Sequence, residues 1–157
     1  MLMDSQLLFS DAQAITTTAA STNVVDLTNA RDIGPGTQLE MLFAVGTAFT
    51  TDSTNASTLT ISLQGSTNST NSNFVDYVRS PAYTASDLAG SKIVFPVDWP
   101  ALMRTAAVNQ ALPRYIRAYY TVGVAAWAGG TLTASLLLGR DDNLAYPKNY
   151  TNAYPTS

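Results

Sequence analysis

The feature that most constrains this fold is an alternation of apolar and polar side chains along residues 114–125 and again along 131–139. The polar face of the first segment is formed by Tyr115, Arg117, Tyr119 and Thr121. The apolar faces are formed by Ile116, Ala118, Tyr120, Val122 and Val124 in the first segment and by Leu132, Ala134, Leu136 and Leu138 in the second. A period of two is typical of half-buried β-strands. Gly129 and Gly130 predict a tight turn that joins these strands into a hairpin.

The same alternation recurs upstream and predicts an all-β chain. Residues 58–63 carry apolar side chains at every second position, and residues 39–49 do so except at Thr47. Pro96 predicts that its strand lies at a sheet edge, because proline donates no ladder hydrogen bond. The predicted strands cover residues 13–18, 22–27, 38–50, 57–65, 74–79, 92–97, 114–125 and 131–139. About eight antiparallel strands separated by short turns favour a jelly-roll β-sandwich.

Other segments depart from strand periodicity. Asp98, followed by Pro100, resembles a helix start and predicts a short helix near residues 100–110. Residues 140–157 have no periodicity and contain repeated Tyr-Pro steps, which is the composition of an extended arm. We therefore predict a jelly-roll domain over residues 1–139, including an N-terminal arm, and a Tyr/Pro-rich C-terminal arm after it.

The composition removes most catalytic and metal-binding chemistry. The 157 residues include no Cys and no His, so the chain lacks disulfides, a cysteine nucleophile, a histidine general base and the usual ligands of zinc, copper and non-haem iron. Nothing in the sequence marks a second carboxylate that faces Glu40, as a glycosidase pair requires, and Asp141-Asp142 is typical of a solvated turn. We expect no enzyme activity, no catalytic residue, no cofactor and no metal.

Charge and hydropathy argue against two classes of partner, nucleic acids and membranes. Only 12% of the residues are charged, the net charge is -3, and no basic patch stands out, so we expect no nucleic-acid binding. No stretch approaches the ~20 apolar residues of a membrane span, and we expect no membrane partner. The first residues lack the basic and apolar regions of a signal peptide, so none is predicted.

The polar face that carries Arg117 and Tyr119 has two interpretations. Arginine and tyrosine are enriched at protein interfaces, so this face is a candidate contact with a partner. The same side chains also pack against one another across neighbouring strands of a single sheet. The sequence alone leaves both interpretations open.

A family resemblance rests on several segments of the chain. They are 4–16 (DSQLLFSDAQAIT), 21–27 (STNVVDL), 30–36 (ARDIGPG), 114–122 (RYIRAYYTV) and 130–136 (GTLTASL). Together they resemble the capsid cement proteins of tailed phages, typified by that of a Bordetella phage. The N-terminal segments carry most of the specificity, and the resemblance runs from near residue 1 to about residue 138.

This resemblance implies a non-enzymatic jelly-roll protein on the outer surface of the virion capsid. Its partner would be the major capsid protein of an HK97-like shell, whose neighbouring capsomers it would staple together. It would also bind itself as a homodimer, with a trimer as the other arrangement. The alternative function is a jelly-roll binding module of a phage tail or receptor-recognition apparatus, and a hydrolase comes third. Copy number separates the first two, because a cement protein is present in numbers comparable to the capsid protein.

The chain ends are the remaining candidate contacts with the capsid. The N-terminal arm offers Leu2, Leu7, Leu8 and Phe9, and the C-terminal arm offers Tyr146, Pro147, Tyr150, Tyr154 and Pro155. Tyrosine combines a large contact area with a polar tip, and proline lowers the entropic cost of ordering an extended segment.

Overall fold

A computed structural model describes residues 5–28, 39–51, 56–70, 73–89, 92–97 and 113–138. This part of the chain forms one 3-10 turn (Ser5–Leu7) followed by β-strands. In chain order the strands are β1 (Leu8–Ala14), β2 (Ala19–Ala20), β3 (Val25–Asp26), β4 (Leu39–Val45), β5 (Thr50–Thr51), β6 (Thr58–Ser66), β7 (Val75–Arg79), β8 (Lys92–Val97), β9 (Tyr115–Gly123), β10 (Trp127–Gly129) and β11 (Thr131–Leu138).

The strands form two antiparallel main sheets. The first sheet has the order β1-β11-β4-β8. The second has the order β2-β9-β6-β7, and β3 also pairs with β9. A ribbon of β5 and β10 lies apart from both. Among the described strands β8 is the last of its sheet, so the edge position predicted from Pro96 is confirmed, although the ladder continues through Pro96 opposite Glu40.

The alternating side chains of the main sheets meet in one apolar core. The first sheet contributes Phe9, Met41, Phe43, Leu132, Ala134 and Leu136, and the second contributes Leu59, Ile61, Leu63, Ile116, Ala118 and Tyr120. Each large apolar side chain buried in this way stabilises the fold by about 1.5–3 kcal/mol relative to its exposed state. The predicted all-β, antiparallel sandwich of jelly-roll type is confirmed.

The hairpin predicted from Gly129 and Gly130 is wrong. Strand β9 belongs to the second sheet and β11 to the first, with β10 between them in the chain. Both strands have one fully apolar face, and in a sandwich these two faces cover the core from opposite sides. A hairpin would have placed them side by side in one sheet. Val124, which was predicted on the apolar face, lies beyond the end of β9 and is 80% exposed.

A buried chain of hydrogen bonds connects the sheets at β1 and β9. The Tyr120 hydroxyl donates to Ser10 Oγ (2.7 Å), because Ser10 Oγ itself donates to Gln13 Oε1 (2.7 Å). Gln13 Oε1 also accepts from the Thr22 backbone N–H (3.0 Å). Burial raises the pKa of the Tyr120 hydroxyl above its ordinary value. This network satisfies polar groups that would otherwise be costly to bury.

The N-terminal arm is the other part of the prediction that needs correction. The first strand was predicted at residues 13–18 but runs over Leu8–Ala14, so the segment assigned to an arm is part of the first sheet. Phe9 is fully buried in the core, which removes it as a contact with a partner. The predicted helix near 100–110 and the predicted arm over 140–157 lie outside the described residues. No helix in the described ranges is long and apolar enough to cross a membrane.

Candidate partner-binding surface

The outer face of the second sheet, which is the side turned away from the core, carries polar residues in rows across three strands. Register places Arg117 of β9 opposite Gln64 of β6, and Gln64 opposite Asp76 of β7. The next row along the strands consists of Tyr119, Ser62 and Arg79. Successive residues of a strand point to opposite faces of the sheet. These polar rows therefore lie on the face opposite to the one from which Ile116, Leu63 and Ile61 enter the core.

Arg117 is the centre of this arrangement. Its guanidinium carbon lies 3.9 Å from the centroid of the Phe74 ring and 5.4 Å from that of Tyr119. Its Nε donates to Gln64 Oε1 at 2.8 Å. Asp76 Oδ1 in turn accepts from Gln64 Nε2 (2.8 Å) and from Ser62 Oγ (3.0 Å). We call Gln64, Phe74, Asp76, Arg117 and Tyr119 the Arg117 face.

The positive charge of Arg117 is partly removed from water by burial. The Arg117 side chain is only 4% exposed, and burial lowers the pKa of its guanidinium, while Tyr119 and Asp76 oppose that shift. The stacked rings and the Gln64 amide replace the water that burial removes. Arg117 therefore makes cross-strand contacts within its own sheet, and the groups left at the surface are the exposed Asp76 and the half-buried Phe74 and Tyr119.

A second arginine makes an exposed ion pair at the start of β9. Arg114 donates from Nε to Asp26 Oδ1 and from Nη2 to Asp26 Oδ2, both at 2.9 Å. Their side chains are 44% and 40% exposed. The hydrogen bond from Arg114 holds the pKa of the Asp26 carboxyl below its ordinary value and raises the pKa of the guanidinium. The pair fixes β3 against β9, next to an open groove of about 620 Å³.

Only some of the other residues predicted to contact a partner lie among the described residues. Leu7 precedes β1 and Leu8 begins it, and both are half-buried, with Leu7 packed against the core. Leu2 and the C-terminal candidates Tyr146, Pro147, Tyr150, Tyr154 and Pro155 lie outside the described residues. The structure therefore brings Arg117 and Tyr119 together and keeps the described N-terminal candidates in the sandwich.

Sequence reasoning missed Gln64, Phe74 and Asp76. The alternation along β6 already placed Gln64 on the polar side of its strand, so that residue was within reach of a pattern argument. Phe74 follows a polar loop, and only the pairing of β7 with β6 brings it over Arg117. In the described ranges no group of three His, Cys, Asp or Glu side chains is placed to hold a metal ion. The Arg117 face is thus an ordered surface of mixed polar and aromatic groups.

Comparison with the sequence models of protein families gives a match. The sequence model of Bbp16, a Bordetella phage protein family, matches residues 9–136, which begin in β1 and end in β11. The matched range includes all or most of every described strand of both main sheets and the whole Arg117 face. A search of curated proteins found no match.

Proposed function

The chain belongs to the Bbp16 family of phage proteins, and from this membership we propose that it is a capsid cement protein. It is a virion-associated chain that binds the outside of an HK97-like shell and holds neighbouring capsomers together without catalysing a reaction. The single observation that carries this proposal is the family match over residues 9–136. The resemblance seen along the sequence, which implied a cement protein, points to the same family.

The Arg117 face supports a binding function in physical terms. Its side chains are held by hydrogen bonds of 2.8–3.0 Å and by ring stacking before any partner arrives. Ordering side chains at an interface costs about 0.5–1.5 kcal/mol for each flexible group, and a face that is already ordered avoids this cost. Phe74 and Tyr119 add aromatic area of the kind that dominates interface energies. This face is the proposed contact with the second subunit of a homodimer.

The proposed stapling follows from the binding equilibrium between this chain and the shell. A chain that binds the assembled shell, and not the separate capsomers, stabilises the assembled state by RT ln(1 + [L]/Kd), which is about 2.7 kcal/mol when its concentration is 100 times Kd. Because each shell repeats the same contact many times, a modest free energy at every site adds up to a large barrier against rupture. No catalytic step is required for this effect.

The proposal predicts a high copy number on the particle. Purified virions should contain this chain in numbers comparable to the major capsid protein, and a map of the intact particle should show it outside the shell at repeated positions. Quantitative mass spectrometry of virions and cryo-electron microscopy measure the two quantities. Particles that lack the chain should release DNA at a lower temperature than complete particles, and adding purified protein back should restore the release temperature.

The same measurements separate the alternatives. A few copies per virion, located at the tail, would assign the chain to a tail or receptor-recognition apparatus. Absence from virions would reject both structural functions. Density that shows trimers outside the shell would leave the cement function in place and replace the proposed homodimer.

Removal of residues 140–157 should weaken attachment without unfolding the sandwich. The last described strand, β11, ends at Leu138, so a chain that stops after Gly139 keeps every described strand of the core. If the arm grips the shell, the affinity for shells should fall at least tenfold, which corresponds to about 1.4 kcal/mol. The thermal unfolding midpoint of the truncated chain is the control for folding, and binding to purified shells is the measurement.

A full-length variant identifies the groups responsible. Replacing Tyr146, Tyr150 and Tyr154 with serine keeps the length of the arm and removes its aromatic area. If these rings make the contact, the triple variant should lose affinity about as much as the truncated chain. Undiminished binding of both variants would place the attachment on the sandwich itself.

A further inference from the structure

One end of the sandwich is a surface whose described residues carry no charged side chain, and the connecting segment 52–55, which contains Asp52, lies outside the described residues. It is built from residues 15–20, 46–51, 56–58 and 121–131, which contain no Asp, Glu, Lys or Arg. Many of its Thr, Ala and Gly residues are exposed, including Thr17, Thr47, Thr51, Ala126 and Ala128. We call this surface the uncharged end. Depletion of charge is the compositional mark of the centre of a protein interface.

Val124 projects from the uncharged end in an unfavourable backbone conformation. Its φ is 68°, and the Ala125 backbone N–H donates to the Gly123 carbonyl at 2.9 Å, so Val124 is the central residue of a tight γ-turn. A turn of this hand is rare and strained, and a β-branched residue is among the least suited to positive φ. Glycine would remove the strain. The chain instead places there an apolar side chain that is 80% exposed.

The backbone around this turn is held firmly. The Trp127 backbone N–H donates to the Thr16 carbonyl at 2.9 Å, and Ser57 Oγ donates to the Ala126 carbonyl at 3.1 Å. Before the turn, the Val122 backbone N–H donates to Thr18 Oγ1 at 2.9 Å. These bonds tie the turn to two other segments of the uncharged end, residues 15–20 and 56–58. Val124 is thus presented to solvent on a rigid support, which lowers the entropy lost when a partner covers it.

The chain enters and leaves the sandwich at the opposite end. Leu8, the first residue of β1, lies opposite Ser135 near the end of β11, whereas Ala14 lies opposite Thr131 beside the uncharged end. An eight-residue strand such as β11 spans about 26 Å at ~3.3 Å per residue. A protein that staples neighbouring capsomers needs contacts that are well separated. The uncharged end supplies a contact about one strand length away from Leu8 and Leu138, where β1 begins and β11 ends.

We infer that the uncharged end docks onto the shell protein, with Val124 inserted into an uncharged, apolar pocket of that protein. The inference rests on the proposed function and adds to it the element that makes the contact. A second copy of this chain is a poorer occupant, because the proposed homodimer already uses the Arg117 face, and a two-fold contact uses the same patch on both subunits. The uncharged end is then left for the shell protein.

The test compares three single substitutions in the full-length chain. Val124→Asp should lower the affinity for shells by at least about tenfold, because docking would bury an unpaired charge. Val124→Gly should raise the unfolding midpoint or leave it unchanged, yet weaken shell binding about tenfold through loss of the valine side chain. Val24→Asp is the matched control. It makes the same change at the other exposed valine, which is 42% exposed, and should leave binding unchanged.

Binding is measured on DNA-free, expanded shells assembled from the major capsid protein of the same phage, and sedimentation of the free protein is measured in parallel. Wild-type chain that does not bind the shells would overturn the proposed function, and this inference with it. Wild-type binding together with undiminished binding of both Val124 variants would overturn the inference alone. A change in oligomeric state for Val124→Asp, with shell binding intact, would assign the uncharged end to a contact between copies and would also overturn it.

Discussion

Replacing Gly130 with alanine should destabilise the protein by about 2–5 kcal/mol. Gly130 has a φ of 147°, which L-amino acids with a side chain rarely adopt. A Cβ at this position would lie 2.4 Å from Phe49 Cδ1 and 2.6 Å from Phe49 Cγ. The Phe49 ring has little room to move, because it packs edge-on against Trp127 at a centroid distance of 5.2 Å and both residues are buried.

Gly129 provides the matched control for this prediction. A Cβ added there would meet Thr50 Oγ1 at 3.4 Å, which is an ordinary contact, and Gly129 has no positive φ. Gly129→Ala should therefore change stability by less than about 1 kcal/mol. Urea unfolding followed by Trp fluorescence measures both variants, and Gly130→Ala should also lower the thermal midpoint by about 5–15 °C. Equal losses for the two variants would contradict the steric explanation.

Arg117→Ala should cost about 2–4 kcal/mol of folding free energy. The change removes a cation that stacks on Phe74 at 3.9 Å and donates to Gln64 Oε1 at 2.8 Å. A stacked, largely desolvated cation contributes up to about 2 kcal/mol, and a hydrogen bond to a charged group about 1.5–3 kcal/mol. The loss also leaves the Gln64 oxygen in a buried place without this donor. Lysine at the same position should restore only part of the stability, because an ammonium group lacks the planar face that stacks on Phe74.

Arg114→Ala is the control with the same chemical change at a solvated site. Arg114 pairs with Asp26, but both side chains are well exposed, and exposed ion pairs contribute little because water competes for both groups. The urea concentration at which Arg114→Ala is half unfolded should stay close to that of the wild type. The difference in this midpoint between Arg114→Ala and Arg117→Ala should persist in high salt. If both alanine variants unfold at the same urea concentration, the burial of Arg117 has no energetic consequence and the Arg117 face is not an ordered unit.

The period of apolar and polar side chains was enough to predict which residues of a strand face the core. It was not enough to predict which strands become neighbours in a sheet. Alternation identified Ile61, Ile116 and Leu132 as core-facing, and each is fully buried. The same pattern says nothing about the sheet to which a strand belongs, so the glycines before β11 were interpreted as a hairpin turn. They lead instead from the β5–β10 ribbon into the first sheet.

Two outcomes at the candidate site have the same origin. The sequence left open whether the face with Arg117 meets a partner or packs within its own sheet, and in the structure Phe74, which precedes β7, stacks on Arg117. Phe9 was assigned to an arm because its segment lies next to a chain end, but pairing of β1 with β11 places it in the core. Both outcomes are set by contacts between segments far apart in the chain, which local propensity and period do not encode.

The pairing of β1 with β11 also determines when the molecule can finish folding. The only described strand beside β1 is the last of the described strands, so the first sheet cannot close until nearly the whole chain has left the ribosome. At synthesis rates of about 5–20 residues per second, β1 waits roughly ten seconds for that partner. Phe9 and Ile15, both destined for the core, remain uncovered during that interval. Closure of such a long-range pair is slow, which lengthens the time during which the uncovered apolar side chains can aggregate.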